Sequence, residues 1–245
     1  MFYFDKINNK KILKSDKIQS INAFFTTRQT VIKSKEDNMQ NLVFENKELI
    51  CQYLGIDIKN FVSPNQTHSA NIDVAKIGKS IYPETDALIL TEKNLGVFLN
   101  FADCTPVILY DKKQNIGAIA HAGWRGTAQK ISALTVQKLI RDFNSKPSDI
   151  TALIGPAIGM CCYNVGEEVY TKLKSTVCDF ERLYEIREGN IYVDLKGINK
   201  RQLEETGLYD IDVCPYCTVH NNDEFFSYRN ENATTSRHSA IICLT

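Results

Sequence analysis

Three apolar runs follow one another with no helical pattern between them: "TDALILTE" (85–92), "LGVFLNFADCTPVILYD" (95–111) and "NIGAIAHAG" (115–123). A four-residue Lys-Lys-Gln-Asn turn (112–115) leaves room only for a hairpin between the last two. Helical patterns come between blocks of consecutive strands instead of after each strand. That spacing predicts an α+β fold with mixed or antiparallel sheets and argues against a strictly alternating Rossmann arrangement.

Around this block, residues 1–20 read as an N-terminal hairpin or extension. "INAFFTTR" (21–28) reads as a strand, and the polar 29–41 stretch as a mobile loop. "NKELICQYLGI" (46–56) has helical spacing, with Asn46 as cap and Gly55 as terminator. Residues 60–76 give strand, turn and strand about Pro64-Asn65. The clearest helix covers 127–143, capped by Thr127, with Ile131, Leu134, Leu139 and Ile140 on its apolar face. "DITALIGPAIG" (149–159) is a strand entering a Gly-Pro loop. Helices at 166–177 and 195–208 and strands at 211–217 and 238–244 complete the chain. No repeat, low-complexity tract or linker divides it, so residues 1–245 read as one domain.

Charge narrows the function. Lys+Arg and Asp+Glu number 29 each, which gives no reason to expect nucleic acid or an anionic membrane as partner. With no signal-peptide pattern and no apolar run of membrane-spanning length, a cytoplasmic protein is expected. Its eight cysteines are then thiols or metal ligands more readily than disulfides.

There are four histidines. His68 in "NQTHSAN" and His121 in "AIAHAGWRG" stand at strand ends, as does Cys104 in "FADCTP". Two imidazoles and a thiolate from three strand ends supply an open, three-ligand zinc site. The same residues suit a cysteine nucleophile with a histidine base, and core packing is the bland reading. Asp103 could orient a ligand histidine. "HAGWRGT" joins Arg125, Gly126 and a helix start, a pattern that suits phosphate. Cys161 and Cys162, read as strand neighbours, point to opposite faces and cannot chelate together. Cys214, Cys217 and His220 have the spacing of half a structural zinc site or a redox dithiol, without a partner motif. In "FFSYRNENATTSRHS", Arg229 or Arg237 faces a pocket or is solvated beside His238.

In order, "NQTHSANI", "TDALIL", "FADCTPVILYD", "GAIAHAGWRGT", "IGPAIGMCCYNVGEEV", "DLKGINKRQL" and "FFSYRNE" resemble the YfiH/DUF152 family, also called the laccase-domain, polyphenol-oxidase or peptidoglycan editing factor family. The resemblance spans about residues 21–243. It implies α/β/β/α layers with mixed sheets, similar to cytotoxic-necrotizing-factor-like cysteine hydrolases. It implies a metal site on His68, Cys104 and His121. The implied activity is purine nucleoside phosphorolysis: adenosine or inosine plus phosphate gives base plus ribose 1-phosphate. Methylthioadenosine cleavage and adenosine deamination are implied with it. "QTVIKSKEDN" replaces the family's Gly-rich loop, and Thr-Ser-Arg, ending at Arg237, replaces Thr-Gly-Arg.

The resulting expectation is a zinc enzyme, transferase or hydrolase, that meets purine nucleosides and phosphate as a monomer or small homo-oligomer. His68, Cys104, His121, Asp103 and Arg125 are its catalytic candidates. Gln66, Arg125, Gly126 and Arg229 are assigned to substrate or phosphate, and Tyr163 or Phe226 to purine stacking. The alternatives are a Cys-His hydrolase of a peptidoglycan-precursor amide, a protein with purely structural zinc, and a copper polyphenol oxidase. Four histidines are too few for the usual multicopper set.

Overall fold

The computed structural model describes all 245 residues. The chain opens with the expected hairpin, β1 (Phe2–Ile7) and β2 (Lys10–Ser15), and continues through β3 (Asn22–Thr26) to helix α1 (Gln40–Leu54). Next come β4 (Phe61–Val62), β5 (Ile72–Ala75), β6 (Ala87–Leu90), β7 (Gly96–Phe101), β8 (Thr105–Asp111) and β9 (Ile116–Ala122). Helices α2 (Trp124–Ala128) and α3 (Ile131–Phe143) follow, then β10 (Ile150–Ile154), β11 (Asn164–Val165) and α4 (Glu167–Lys174). The chain ends with β12 (Tyr184–Arg187), β13 (Asn190–Val193), α5 (Leu195–Glu204), β14 (Ile211–Val213) and β15 (His238–Cys243).

Two six-stranded sheets, ordered β1-β2-β3-β15-β7-β4 and β14-β10-β8-β9-β6-β5, form the centre, with a small β11-β13-β12 sheet beside them. Most pairs are antiparallel, while β4–β7, β5–β6 and β10–β14 are parallel. The sheets are therefore mixed, as expected. Strand β15 makes the layering visible. Ala240 and Ile242 belong to the core between the sheets, with Leu88, Ile108 and Leu153 of the second sheet. Ile241 and Cys243 belong to a separate core with Ile50 and Leu54 of α1. Successive side chains of a strand point to opposite faces, so burial of every residue in "HSAIIC" requires cover on both sides. Val107 and Leu109 of β8 likewise face Val136 and Leu139 of α3. The result is the α/β/β/α single-domain arrangement.

Three local expectations change. The first half of the 29–41 segment is packed: Thr30, Val31, Ile32 and Ser34 are buried, and Lys33 bridges to Arg237, while residues 35–38 are exposed. Helix α1 begins at Gln40, so Asn46 is not its cap. The buried Asn46 amide donates to the Val31 carbonyl at 2.8 Å and accepts from Lys10 Nζ at 2.7 Å. Gly55 does end the helix, in the left-handed region. The helix read over 127–143 is two, broken at Lys130, whose φ is 61°. Thr127 lies inside α2, where its hydroxyl accepts from Asn199 and its carbonyl from Gln202 of α5. Leu134 keeps about a third of its surface exposed, at 37%, and is not a core residue.

Candidate metal centre and its cavity

Strand register builds the centre. Thr105 of β8 pairs with Ala122 of β9, so Cys104, one residue before, comes level with Gly123. Ala87 of β6 pairs with Ala120, so Asp86 comes level with His121. His68 arrives on the loop between β4 and β5. The ligand atoms of His68, Cys104 and His121 all lie within 4.8 Å of one another, and Cys104 Sγ is 3.8 Å from His68 Nε2. His68 and Asp103 both adopt positive φ, 62° and 80°, a strained conformation often held at functional sites. Gly123 closes one side: a Cβ there would stand 2.9 Å from Cys104 Sγ and 3.0 Å from His68 Cδ2. Only glycine leaves the sulfur and imidazole room.

Asp86, not singled out in the sequence, organises the ligands. Its buried carboxylate accepts from the Thr67, His68 and Ser69 amides at 3.1, 3.1 and 2.7 Å, and from the Ser69 hydroxyl at 2.8 Å. It also meets His121 Nδ1 at 2.8 Å. One carboxylate thus fixes the His68 loop and leaves His121 Nε2 free to ligate. Burial would raise the Asp86 pKa, but the His121 imidazole, followed by the Ser69 hydroxyl, holds it down at about 2. Burial also opposes charge on Cys104 and His121. Their mutual attraction overcomes it, favouring thiolate beside imidazolium when no metal is present.

The donor set fits a tetrahedral metal. Two nitrogens and one sulfur converge, His121 carries its carboxylate partner, and one coordination position remains open. Of the four histidines, only His68 and His121 reach this place. His238 is fully buried, with Nε2 on the Pro156 carbonyl, and His220 contacts Cys161 and Cys162.

A cavity of about 530 Å³ opens beside His68 and His121, within the range of small-molecule sites. His68 and His121 form part of its wall with Gln66, Phe98, Asn100 and Tyr228. Lys33, Lys35, Lys47 and Arg237 line it as well, and none of the four has a carboxylate within ion-pair distance. Burial first, then the like charge of Lys33, pulls the Lys47 pKa below its ordinary value.

Several candidates stand elsewhere. Arg125 stacks on Trp124 at 4.3 Å and lines a neighbouring cavity with Lys172 and Ser175. Gly126 packs under the His121 carbonyl, which a Cβ would approach to 3.0 Å. Gln66 lines the cavity, but its amide is engaged by the Asn100 backbone, donating at 2.9 Å and accepting at 2.8 Å. The Arg229 guanidinium bonds the Asn164 carbonyl. Phe226 is buried beneath Arg28, at 4.3 Å, and Tyr163 is buried in the core around α4. The carboxylate that meets a triad histidine is Asp86, on His121 Nδ1, and not Asp103. The Asp103 carboxylate is taken by the Thr218 hydroxyl at 2.6 Å and the Arg229 amide at 2.7 Å. Lys33, Lys35 and Lys47 had no motif to mark them.

The cysteine expectations are also revised. Cys161 and Cys162 occupy a turn, so the strand rule does not apply, and their sulfurs converge with Cys217 and His220. Cys214 is in the core between the sheets, away from that cluster.

A family model described as multi-copper polyphenol oxidoreductase laccase matches residues 22–245. A Geobacillus stearothermophilus protein named purine nucleoside phosphorylase YlmD is 34% identical over 215 residues, covering 82% of this chain and 78% of its own. A protein of an unknown prokaryotic organism, named adenosine deaminase RL5, is 26% identical over 255 residues, covering 94% of this chain and 97% of its own. The crystal structure of Bacillus licheniformis YfiH is similar with a TM-score of 0.90 at 31% identity, covering 99% of each chain. These relatives support an enzyme role, and no helix is long and apolar enough to cross a membrane. Matched along nearly its whole length in sequence and in fold, the chain belongs to the YfiH/DUF152 family, whose model carries the laccase description.

Proposed function

We propose that this chain is a zinc-dependent purine nucleoside phosphorylase that converts adenosine or inosine and phosphate to base and ribose 1-phosphate. Methylthioadenosine phosphorolysis and adenosine deamination belong to the same reading. One observation carries it: a single cavity is walled by His68 and His121, which group with Cys104, and by four cations without carboxylate partners. A nucleoside and an inorganic phosphate are the kind of substrate pair such a wall serves. The names of the relatives, phosphorylase and deaminase, agree with it.

In phosphorolysis a phosphate oxygen bonds to C1′ as the C1′–N9 bond breaks, and the base leaves with that electron pair and takes up a proton. Lys33, Lys35, Lys47 and Arg237 would hold the phosphate and offset its charge. Tyr228 and Phe98 offer aromatic surface to the purine. His68, Cys104 and His121 would hold zinc, with Asp86 keeping both histidines in place. Zinc, when bound, supplies Lewis acidity toward oxygen and, for deamination, lowers the pKa of a water to about 7. Asp103 acts as a positioning residue that fixes the turn carrying Cys104.

The decisive experiment measures metal content and inosine phosphorolysis together. Cys104→Ala is expected to lose the triad's metal and its activity. Lys47→Gln and Arg237→Gln are each expected to raise the KM for phosphate about tenfold or more, since a hydrogen bond to a charged group is worth about 1.5–3 kcal/mol. Full activity in Cys104→Ala lacking that metal would overturn the proposal.

A second reading has its own observation: Asp86, His121 and Cys104 form a carboxylate–imidazole–thiol series suited to a Cys-His hydrolase acting on a peptidoglycan-precursor amide. It requires activity that survives chelation and a trapped Cys104 adduct. A copper polyphenol oxidase is least supported, because two histidines cannot furnish a multicopper cluster.

A further inference from the structure

A second group of donors lies outside the proposed active site. Cys161, Cys162, Cys217 and His220 each place a ligand atom within 4.8 Å of all the others. Cys162 Sγ is 3.2 Å from His220 Nε2, and Cys161 Sγ is 3.6 Å from His220 Nδ1. One His220 nitrogen and three sulfurs gathered within 4.8 Å form a group compact enough to close on tetrahedral zinc, whose thiolates stand about 3.8 Å apart. We propose that these four residues form a closed, structural site for a soft divalent cation of the zinc class.

The backbone is shaped for it. The amides of Cys162 and Tyr163 both donate to the Gly159 carbonyl at 2.9 Å, and the resulting turn presents adjacent cysteines on one side. The Gly159 amide donates to Cys217 Sγ at 3.2 Å, and a Cβ on Gly159 would stand 3.0 Å from Cys161 Sγ. Three thiolates and one imidazole leave a dication site with one net negative charge. Arg187 is alongside, donating to the Cys161 carbonyl at 3.1 Å. A fourth protein ligand closes the shell, which separates this site from the three-ligand group of Cys104. A metal here would clamp the 159–163 turn to the 217–220 segment. That segment carries Thr218, whose hydroxyl holds Asp103 beside Cys104.

The two sites are separable by measurement. Purified Cys104→Ala, folded by circular dichroism, is expected to retain about one equivalent of zinc per chain. Its cobalt-substituted form is expected to show sulfur-to-cobalt charge transfer. Wild type is expected to hold one equivalent more. Cys162→Ser and His220→Ala are expected to lose the retained equivalent and melt at lower temperature. His220 is solvent-exposed, so its replacement tests ligation without excavating the core. The proposal is overturned if folded Cys104→Ala binds no zinc or cobalt. It is also overturned if both cluster variants keep the full complement, or if the cluster is isolated as a disulfide. Absence of phosphorolysis in wild type would overturn the proposed activity and leave this second metal site standing.

Discussion

Asp86 supplies no ligand atom to the Cys104 centre, yet five donors converge on its carboxylate. In Asp86→Asn one of the acceptor oxygens becomes an NH₂ facing other donors, and His121 loses the partner that fixes its tautomer. Zinc affinity is expected to fall about 10- to 100-fold, the usual cost of losing such a partner. Competition against a chromophoric chelator measures this, and an unchanged affinity would remove Asp86 from the site. Cys104 and His121 were readable in the sequence because each adjoins the end of an apolar run, while His68, expected at a strand end, lies within the loop between β4 and β5. Asp86 was not readable. It lies at the start of "TDALIL", and only the β6–β9 register sets it against His121. Asp103 looked like the better carboxylate because it adjoins Cys104, but adjacency along a chain does not predict side-chain direction in a turn with positive φ.

At the scale of elements, the 28–41 segment and α1 act together. Residues 33 to 35 alternate outward and inward, which puts Lys33 and Lys35 at the cavity while Ser34 is buried. Asn46 of α1 holds this arrangement from behind through the Val31 carbonyl. Asn46→Ala leaves that carbonyl unpaired and is expected to cost about 1–3 kcal/mol. It should raise the KM for phosphate while leaving the zinc content unchanged. Denaturant unfolding and metal analysis on the same preparation test both halves, and a loss of zinc would contradict the division of labour. The polar composition of this stretch concealed its role, since it turns its few apolar side chains inward at a spacing too short to register as periodic. Strands and most helix positions were legible because each buries a regular face. The break at Lys130 was not: it falls beside Thr127, whose hydroxyl and carbonyl accept from Asn199 and Gln202 of α5, far away in the chain.

For the whole molecule, His238 lies on β15, the strand shared by the central core and the α1 layer. Burial, the dominant cause, drives its pKa from 6.5 to about 3. The native state therefore stays unprotonated there while the unfolded chain takes up a proton. His238 contributes no pH dependence above pH about 6.5. Below that, stability is lost as pH falls toward about 3, at a limiting slope of about 1.4 kcal/mol per pH unit. His238→Leu is expected to flatten this part of the profile relative to wild type, as followed by urea unfolding at a series of pH values. Parallel profiles would exclude the assignment. Mixed sheets were legible from strand succession and the layer order only through the family resemblance, whereas the pairing of distant segments, such as β15 between β3 and β7, was not.

The cavity's cations also govern which anions the molecule meets. Because basic and acidic residues balance at 29 each, they do not reinforce a long-range positive field. Lys33, Lys35, Lys47 and Arg237 act over roughly a Debye length, about 8 Å at physiological ionic strength. A freely diffusing small anion experiences that attraction only at the mouth of the cleft. The four side chains would then serve as a local station for a small anion and steer nothing toward the protein from a distance.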